Sequence, residues 1–204
     1  ISGNFSLTKN VPGSVDIGVI SSKTSIGGTI NLAITQDISS GFTMHRVQNL
    51  TNGGSISITN TQAFDIQQDS LLVSTFNIAN YGGGAFAYLY NNQINGHVTI
   101  TTDPSYGGGY ASYIRNNTIT GNTIFNLNGS NNFYEAHTLG NTYNGNLTFN
   151  ADGTGGLFTS YSLKSTITGN YTVNRTVAGL LDLLGTGVTI GGNFSCTKNV
   201  GGST

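Results

Sequence analysis

The sequence predicts an all-β protein, a single-stranded parallel β-helix (a right-handed solenoid) of about eight coils, each of roughly 24 residues with three short strands. Three observations predict it. First, residues 3–15 read GNFSLTKNVPGSV and residues 192–204 read GNFSCTKNVGGST, identical at ten of thirteen positions and offset by 189 residues. Second, a weaker echo recurs between them about every 24 residues: a small residue, a polar residue, then apolar–polar–apolar. Self-similarity at such a period is the mark of a unit stacked on itself. Third, charged residues make up only 7% of the chain, against about 25% in ordinary domains. Ile, Val, Thr, Phe and Tyr are nonetheless abundant, which favours strands over disorder.

The frame is set by the small residue that opens each unit: Gly3, Gly28, Gly54, Ser74, Gly96, Gly121, Gly145, Gly169 and Gly192. Two residues on stand Phe5, Ile30, Ile56, Phe76, Val98, Thr123, Leu147, Tyr171 and Phe194. Four residues on stand Leu7, Leu32, Ile58, Ile78, Ile100, Phe125, Phe149, Val173 and Cys196. The residues between them are polar except Ile124, so each unit opens with a strand that is apolar on one face. A second apolar column precedes the openers at Ile26, Ile94, Ile119, Tyr143, Ile167 and Ile190, with Asn52 departing from it. A third lies mid-unit, at Val15 and Ile17, Phe42 and Met44, Phe64 and Ile66, Phe86 and Tyr88, Leu157, Leu181 and Leu183. The stretch AGLLDLLG at 178–185 aligns with SVDIG at 14–18 and reads as strand.

This frame carries further expectations. Gly serves corners that need positive φ, and the GGG runs at 82–84 and 107–109 are turns. Asn4, Asn122, Asn146, Asn170 and Asn193 form a stacked amide ladder. Cys196 shares a core column with Leu7 and Val173 and is shielded from thiol reagents in the intact array. Residues 1–204 form one continuous solenoid segment that opens and closes partway through a repeat, as an internal fragment of a longer array does.

Little in the chain speaks for chemistry. The formal net charge of −1 offers no attraction to nucleic acid, and no run of 18 apolar residues could span a membrane. His45, His97 and His137 sit at different offsets from their openers, without metal-ligand spacing. Glu135 beside His137 reads as a solvated pair. The acids Asp16, Asp37, Asp65, Asp69, Asp103, Glu135, Asp152 and Asp182 are scattered; only Asp16 and Asp182 align, many coils apart. No catalytic, cofactor-binding or metal-binding residue is therefore expected, and no cofactor. Asn-x-Ser/Thr triplets at Asn4, Asn49, Asn116, Asn128, Asn146, Asn170, Asn174 and Asn193 follow from the composition.

The segments GNFSLTKN, GNLTFNAD, GNYTVNRT and GNFSCTKN, with ITGN or TIGG corners, resemble repeats of very large secreted bacterial surface adhesins. Filamentous-haemagglutinin-like proteins and the gliding adhesins of Bacteroidetes are similar in composition. The resemblance implies an extracellular, cell-surface, β-rich and non-enzymatic protein with structural or adhesive work. Its expected partners are neighbouring repeats or like chains end to end, and glycans or surfaces. Three alternatives stand beside it. One is a carbohydrate-binding or tail-spike-like β-helix, for which Tyr81, Tyr88, Tyr90, Tyr106, Tyr110 and Tyr113 form the best surface. Another is an ice- or surface-binding solenoid that uses its Thr, Ser and Asn columns. The third is a self-assembling filament subunit.

Overall fold

A computed structural model describes residues 1–37, 39–61, 63–80, 87–102, 112–130, 132–136, 138–159, 164–185 and 187–199. The expectations at Tyr81, Phe86, Asp103, Tyr106, Tyr110, His137 and the two GGG runs lie outside these residues. The described residues hold strands and no helix, and every pairing between named strands is parallel. The chain is a parallel β-solenoid built from three ladders, as the three-strand unit predicts.

The first ladder follows the openers: Phe5–Lys9, Ile30–Thr35, Gly54–Thr61, Ser70–Asn80, Gln93–Thr102, Thr123–Leu127, Leu147–Ala151, Tyr171–Arg175 and Phe194–Lys198. The second ladder is an eight-stranded sheet: Val15–Gly18, Gly41–His45, Ala63–Gln67, Ala87–Tyr90, Ser112–Arg115, Phe133–Glu135, Leu157–Phe158 and Leu181–Asp182. The third contains Thr24–Ile26, Val47–Asn49, Thr118–Ile119, Thr142–Tyr143, Ser165–Ile167 and Val188–Ile190. It merges with the first through the long strands Ser70–Asn80 and Gln93–Thr102, making one fifteen-stranded sheet.

Alternation within each strand fills the interior with continuous columns. One runs Leu7, Leu32, Ile56, Phe76, Val98, Thr123, Leu147, Tyr171 and Phe194. Its neighbour runs Ile34, Ile58, Ile78, Ile100, Phe125, Phe149, Val173 and Cys196. Phe125 and Phe149 stack at 4.9 Å, and Tyr171 tilts against Phe194 at 5.2 Å. The core side chains from Leu32 to Val173 in these columns are 0–2% exposed.

This register corrects the sequence frame at its third unit. Ile30 pairs with Gly54 and Leu32 with Ile56, so Asn52 takes the slot of Gly28. The coil that opens at Gly28 therefore ends at Asn52, two residues sooner than the frame set, and Leu50, just before that corner, is 57% exposed. Asn49, 1% exposed, takes the core slot between Ile26 and Leu71. Its amide donates to the Thr51 and Leu72 carbonyls and accepts from the Leu72 N–H. Leu7 and Cys196 therefore belong to adjacent columns, not one. Cys196 is exposed, because its strand has a neighbour on one side only among the described residues. Cys196 does share its column with Val173, and shielding in an intact array is expected of a strand covered on both sides.

The opener glycines also have a different cause from the one expected. Of the openers from Gly54 onward, only Gly54 has positive φ, at 80°. A Cβ at Gly145 would lie 2.6 Å from the Gly121 carbonyl oxygen, and one at Gly169 2.7 Å from the Gly145 carbonyl oxygen. The column is glycine because stacked backbones approach there too closely for a side chain. Positive φ is used at another corner, by residues that are not glycine: Arg46, Gln68, Asn91 and Asn116, at 55°, 60°, 58° and 53°. Each ends the second-ladder strand and turns the next residue inward.

Three of those inward residues, Asp69, Asn92 and Asn117, form a buried polar ladder that Asn141 and Ser165 continue. The Asn92 N–H donates to Asn117 Oδ1, and the Asn117 N–H to Asn141 Oδ1, at 3.0 and 2.9 Å. Their amide nitrogens also donate to carbonyls one coil back: Asn92 to Ile66, Asn117 to Leu89 and Asn141 to Ile114. The expected outer ladder exists as well. Asn122, Asn146 and Asn170 each accept a backbone N–H from the following coil.

Gly121→Ala is expected to cost about 2–4 kcal/mol, because the new methyl overlaps the Gly96 carbonyl. Gly3→Ala, with nothing within 4 Å of its added Cβ, should change stability by less than about 0.5 kcal/mol. Urea midpoints of the two variants check this; equal shifts would remove backbone approach as the cause.

Candidate functional site

The outward face of the second ladder gathers the side chains with most chemistry. Its strands place Asp16, Thr43, Asp65, Tyr88, Tyr113 and Tyr134 in one outward column, with Asp182 at the same register position two strands beyond Tyr134. The sequence alignment of Asp16 with Asp182 is confirmed, and Asp65 joins them two strands above Asp16. The next column holds His45, Gln67, Tyr90 and Arg115. The mid-unit register is one residue off the sequence reading here: Leu89 packs inward, fully buried, and Tyr88 points outward. The inward neighbours Leu89 and Ile114 are 0% exposed, so this face rests on a closed core.

Tyr88, Tyr113 and Tyr134 stack on successive coils. Their ring centroids are 5.6 and 5.5 Å apart, with interplanar angles of 10° and 13°. Ring faces therefore meet one another along the axis. Burial, and then the neighbouring Tyr113, push the Tyr88 phenol above its ordinary range, against the pull of Arg115. The Arg115 guanidinium carbon lies 4.5 Å over the Tyr90 ring, and its Nη1 donates to Thr138 at 2.9 Å. Asp65 accepts from Gln67 Nε2 at 2.6 Å. His45 Nε2 lies 3.2 Å from the other Asp65 oxygen, outside hydrogen-bond geometry, so the contact is one of charge when His45 is protonated. Of the expected tyrosine surface, Tyr88, Tyr90 and Tyr113 come together. Tyr134, Asp65 and Arg115 join them unforeseen, because only the coil register reveals that they are neighbours.

Two other charged groups, Glu135 and Arg175, lie in the interior. Glu135 is 1% exposed, not the solvated residue expected. Its Oε1 accepts from Asn141 Nδ2 and Ser165 Oγ, both at 2.6 Å, and from the Tyr143 hydroxyl at 3.3 Å. Burial, reinforced by that carboxylate, holds the Tyr143 phenol far above its ordinary range. Arg175 is also 1% exposed, and its guanidinium donates to the carbonyls of Val177, Gly153, Gly155 and Ala178. A Cβ at Gly179 would collide with it, so Gly179 is the space that the guanidinium occupies. Burial lowers the Arg175 pKa. Both groups join loops and coils, and Arg175 also lines a small, largely enclosed cavity with Thr102, Leu127 and Phe133. His97 stands apart from His45 and accepts the Asn122 N–H. No group of three or more His, Cys, Asp or Glu placed to hold a metal ion occurs among the described residues.

No family model, curated protein or solved structure matches this chain.

Asp69 has a readable pH consequence. It heads the buried amide ladder at 2% exposure. Oδ1 accepts the Val47 N–H, and Oδ2 has no hydrogen-bond partner. Burial pushes its carboxyl up to about 8, with the nearby Asp65 adding to the shift and the Val47 N–H opposing it. A folded pKa above the unfolded one means that folding favours the protonated acid. Stability is then greatest below the unfolded value of about 4, falls by up to about 1.4 kcal/mol per pH unit, and levels off above pH ~8. Asp69→Asn supplies the missing donor, aimed at Met44, the carbonyl one coil below Ile66. The variant should be as stable as the parent near pH 4 and more stable at pH 8. Denaturation midpoints across that range check it; a persistent slope in the variant would contradict it.

Proposed function

We propose that this chain is a rigid, non-catalytic segment of an extended extracellular adhesive protein, in which a solenoid supplies length and one face supplies contact. The observation that carries this reading is the register of the coils, which runs through every described pairing with shifts only between Ile58 and Thr61 and between Asn95 and His97. The coils support one another through core columns and parallel strands, with amide ladders over part of their length, so length grows without a larger core. The seven steps between the eight strands of the second ladder correspond to roughly 34 Å of rise at ~4.8 Å per strand. The solvent face of the first ladder presents mostly neutral hydroxyls and amides, including Asn126, Asn150 and Asn174, whose amides bond from coil to coil. Its middle column mixes Ala33, Ser57, Asn77, Thr99, Ile124 and Thr148. That mixture favours a solvated wall over a regular ice-matching array. The contact face is the tyrosine-bearing side of the second ladder, where aromatic and charged groups concentrate.

Beads coated with the purified chain test this. They should resist detachment by flow from cell, polysaccharide or mineral surfaces better than albumin-coated beads. Detachment at the same shear on every surface would overturn the adhesive reading.

A further inference from the structure

We propose that the strip formed by Tyr88, Tyr113 and Tyr134, flanked by Gln67, Tyr90 and Arg115, binds a linear, neutral, hydroxyl-rich polysaccharide lying along the solenoid axis. This rests on the adhesive reading and names its ligand class.

Four observations carry it. The strip is periodic: like rings recur on three successive coils at 5.6 and 5.5 Å. A ligand running parallel to the axis meets the same group at each step, and a chain of repeating sugars has a repeat to match. The surface of a globular protein partner without repeats has none. The near-parallel rings engage one another through their faces, so the strip presents phenol edges and hydroxyls. A phenol oxygen both donates and accepts hydrogen bonds, as a sugar hydroxyl does. The two formal charges at the strip, the Asp65 carboxylate and the Arg115 guanidinium, are of opposite sign, and each already has a polar or ring partner: Gln67 for Asp65, Tyr90 and Thr138 for Arg115. A neutral ligand therefore displaces no ion pair, and an acidic one gains little. Finally, the strip is held rigidly on strands whose inward neighbours Leu89 and Ile114 are wholly buried. Binding then needs little ordering of the protein. Weak contacts repeated along the axis add through linkage on one chain.

Native affinity electrophoresis tests the inference. The chain is run through gels containing dissolved mixed-linkage β-glucan, arabinoxylan or, as the acidic comparison, polygalacturonate. Retardation is expected in at least one neutral gel and not in the acidic gel. The triple variant Tyr88→Phe, Tyr113→Phe, Tyr134→Phe keeps the stack and removes the hydroxyls, and should weaken retardation by about tenfold or more. Thr148→Ala, on the first ladder, should leave it unchanged. Circular dichroism of each variant verifies the fold. Absence of retardation in both neutral gels, or full retardation of the triple variant, overturns the proposal. Retention on a protein-coated surface that the triple variant abolishes, without retardation in either neutral gel, assigns the strip to a protein partner and also overturns it. Coated beads that adhere while the free chain is not retarded would leave the adhesive reading standing and remove only the polysaccharide.

Discussion

Each coil of this protein lies in register on the coil before it, and the rest of the structure depends on that superposition. It places like beside like: Ile100 beside Phe125, Phe125 on Phe149, Asn92 on Asn117, Tyr88 on Tyr113. It also brings backbones so close at the opening corner that Gly96, Gly121, Gly145, Gly169 and Gly192 have no room for a Cβ. A change at one position is therefore felt by its neighbours one coil away in both directions. Stability in such an array is a sum of nearest-neighbour terms, which is why a chain with so few charges can hold a long, thin shape.

The same superposition decides which buried polar groups are tolerable. An unpaired polar group in a dry interior costs free energy, whereas a fully bonded one is close to neutral. Asn92, Asn117 and Asn141 each accept from one neighbouring coil and donate to another. Glu135 gathers three side-chain donors, and Arg175 four carbonyls. Thr123, whose Oγ1 lacks a partner, is an exception. Asp69 is another, with one oxygen unserved and its carboxyl displaced toward the neutral form. The ladder accepts an amide at that position more readily than an acid.

The core of the first ladder was legible because its strands alternate cleanly between apolar and polar. Gly54 misled the frame by two residues, since it carries the opener's residue type opposite Ile30. The second ladder was misread at Tyr88 because aromatic residues face outward there, so apolar character no longer marks the inward side. The buried amide ladder was hidden for a related reason: Asn92 and Asn117 follow Asn91 and Asn116, and only one of each pair points inward. Positive φ at Arg46 and Gln68 left no trace in residue type, because the structure around them and not a glycine sustains it. The contact strip joins residues 67, 90 and 115 with 88, 113 and 134, a neighbourhood visible only once the register is known.

If superposition through the buried ladder governs the fold, its middle member should matter most. Asn117→Leu is nearly the same size but leaves the Asn92 N–H and the Leu89 carbonyl without their side-chain partner. The account predicts a loss of about 2–4 kcal/mol in urea unfolding, with faster hydrogen exchange at the amides of residues 92 and 117. Unchanged stability and exchange in that variant would contradict it, and would mean that the apolar columns alone hold the coils in register.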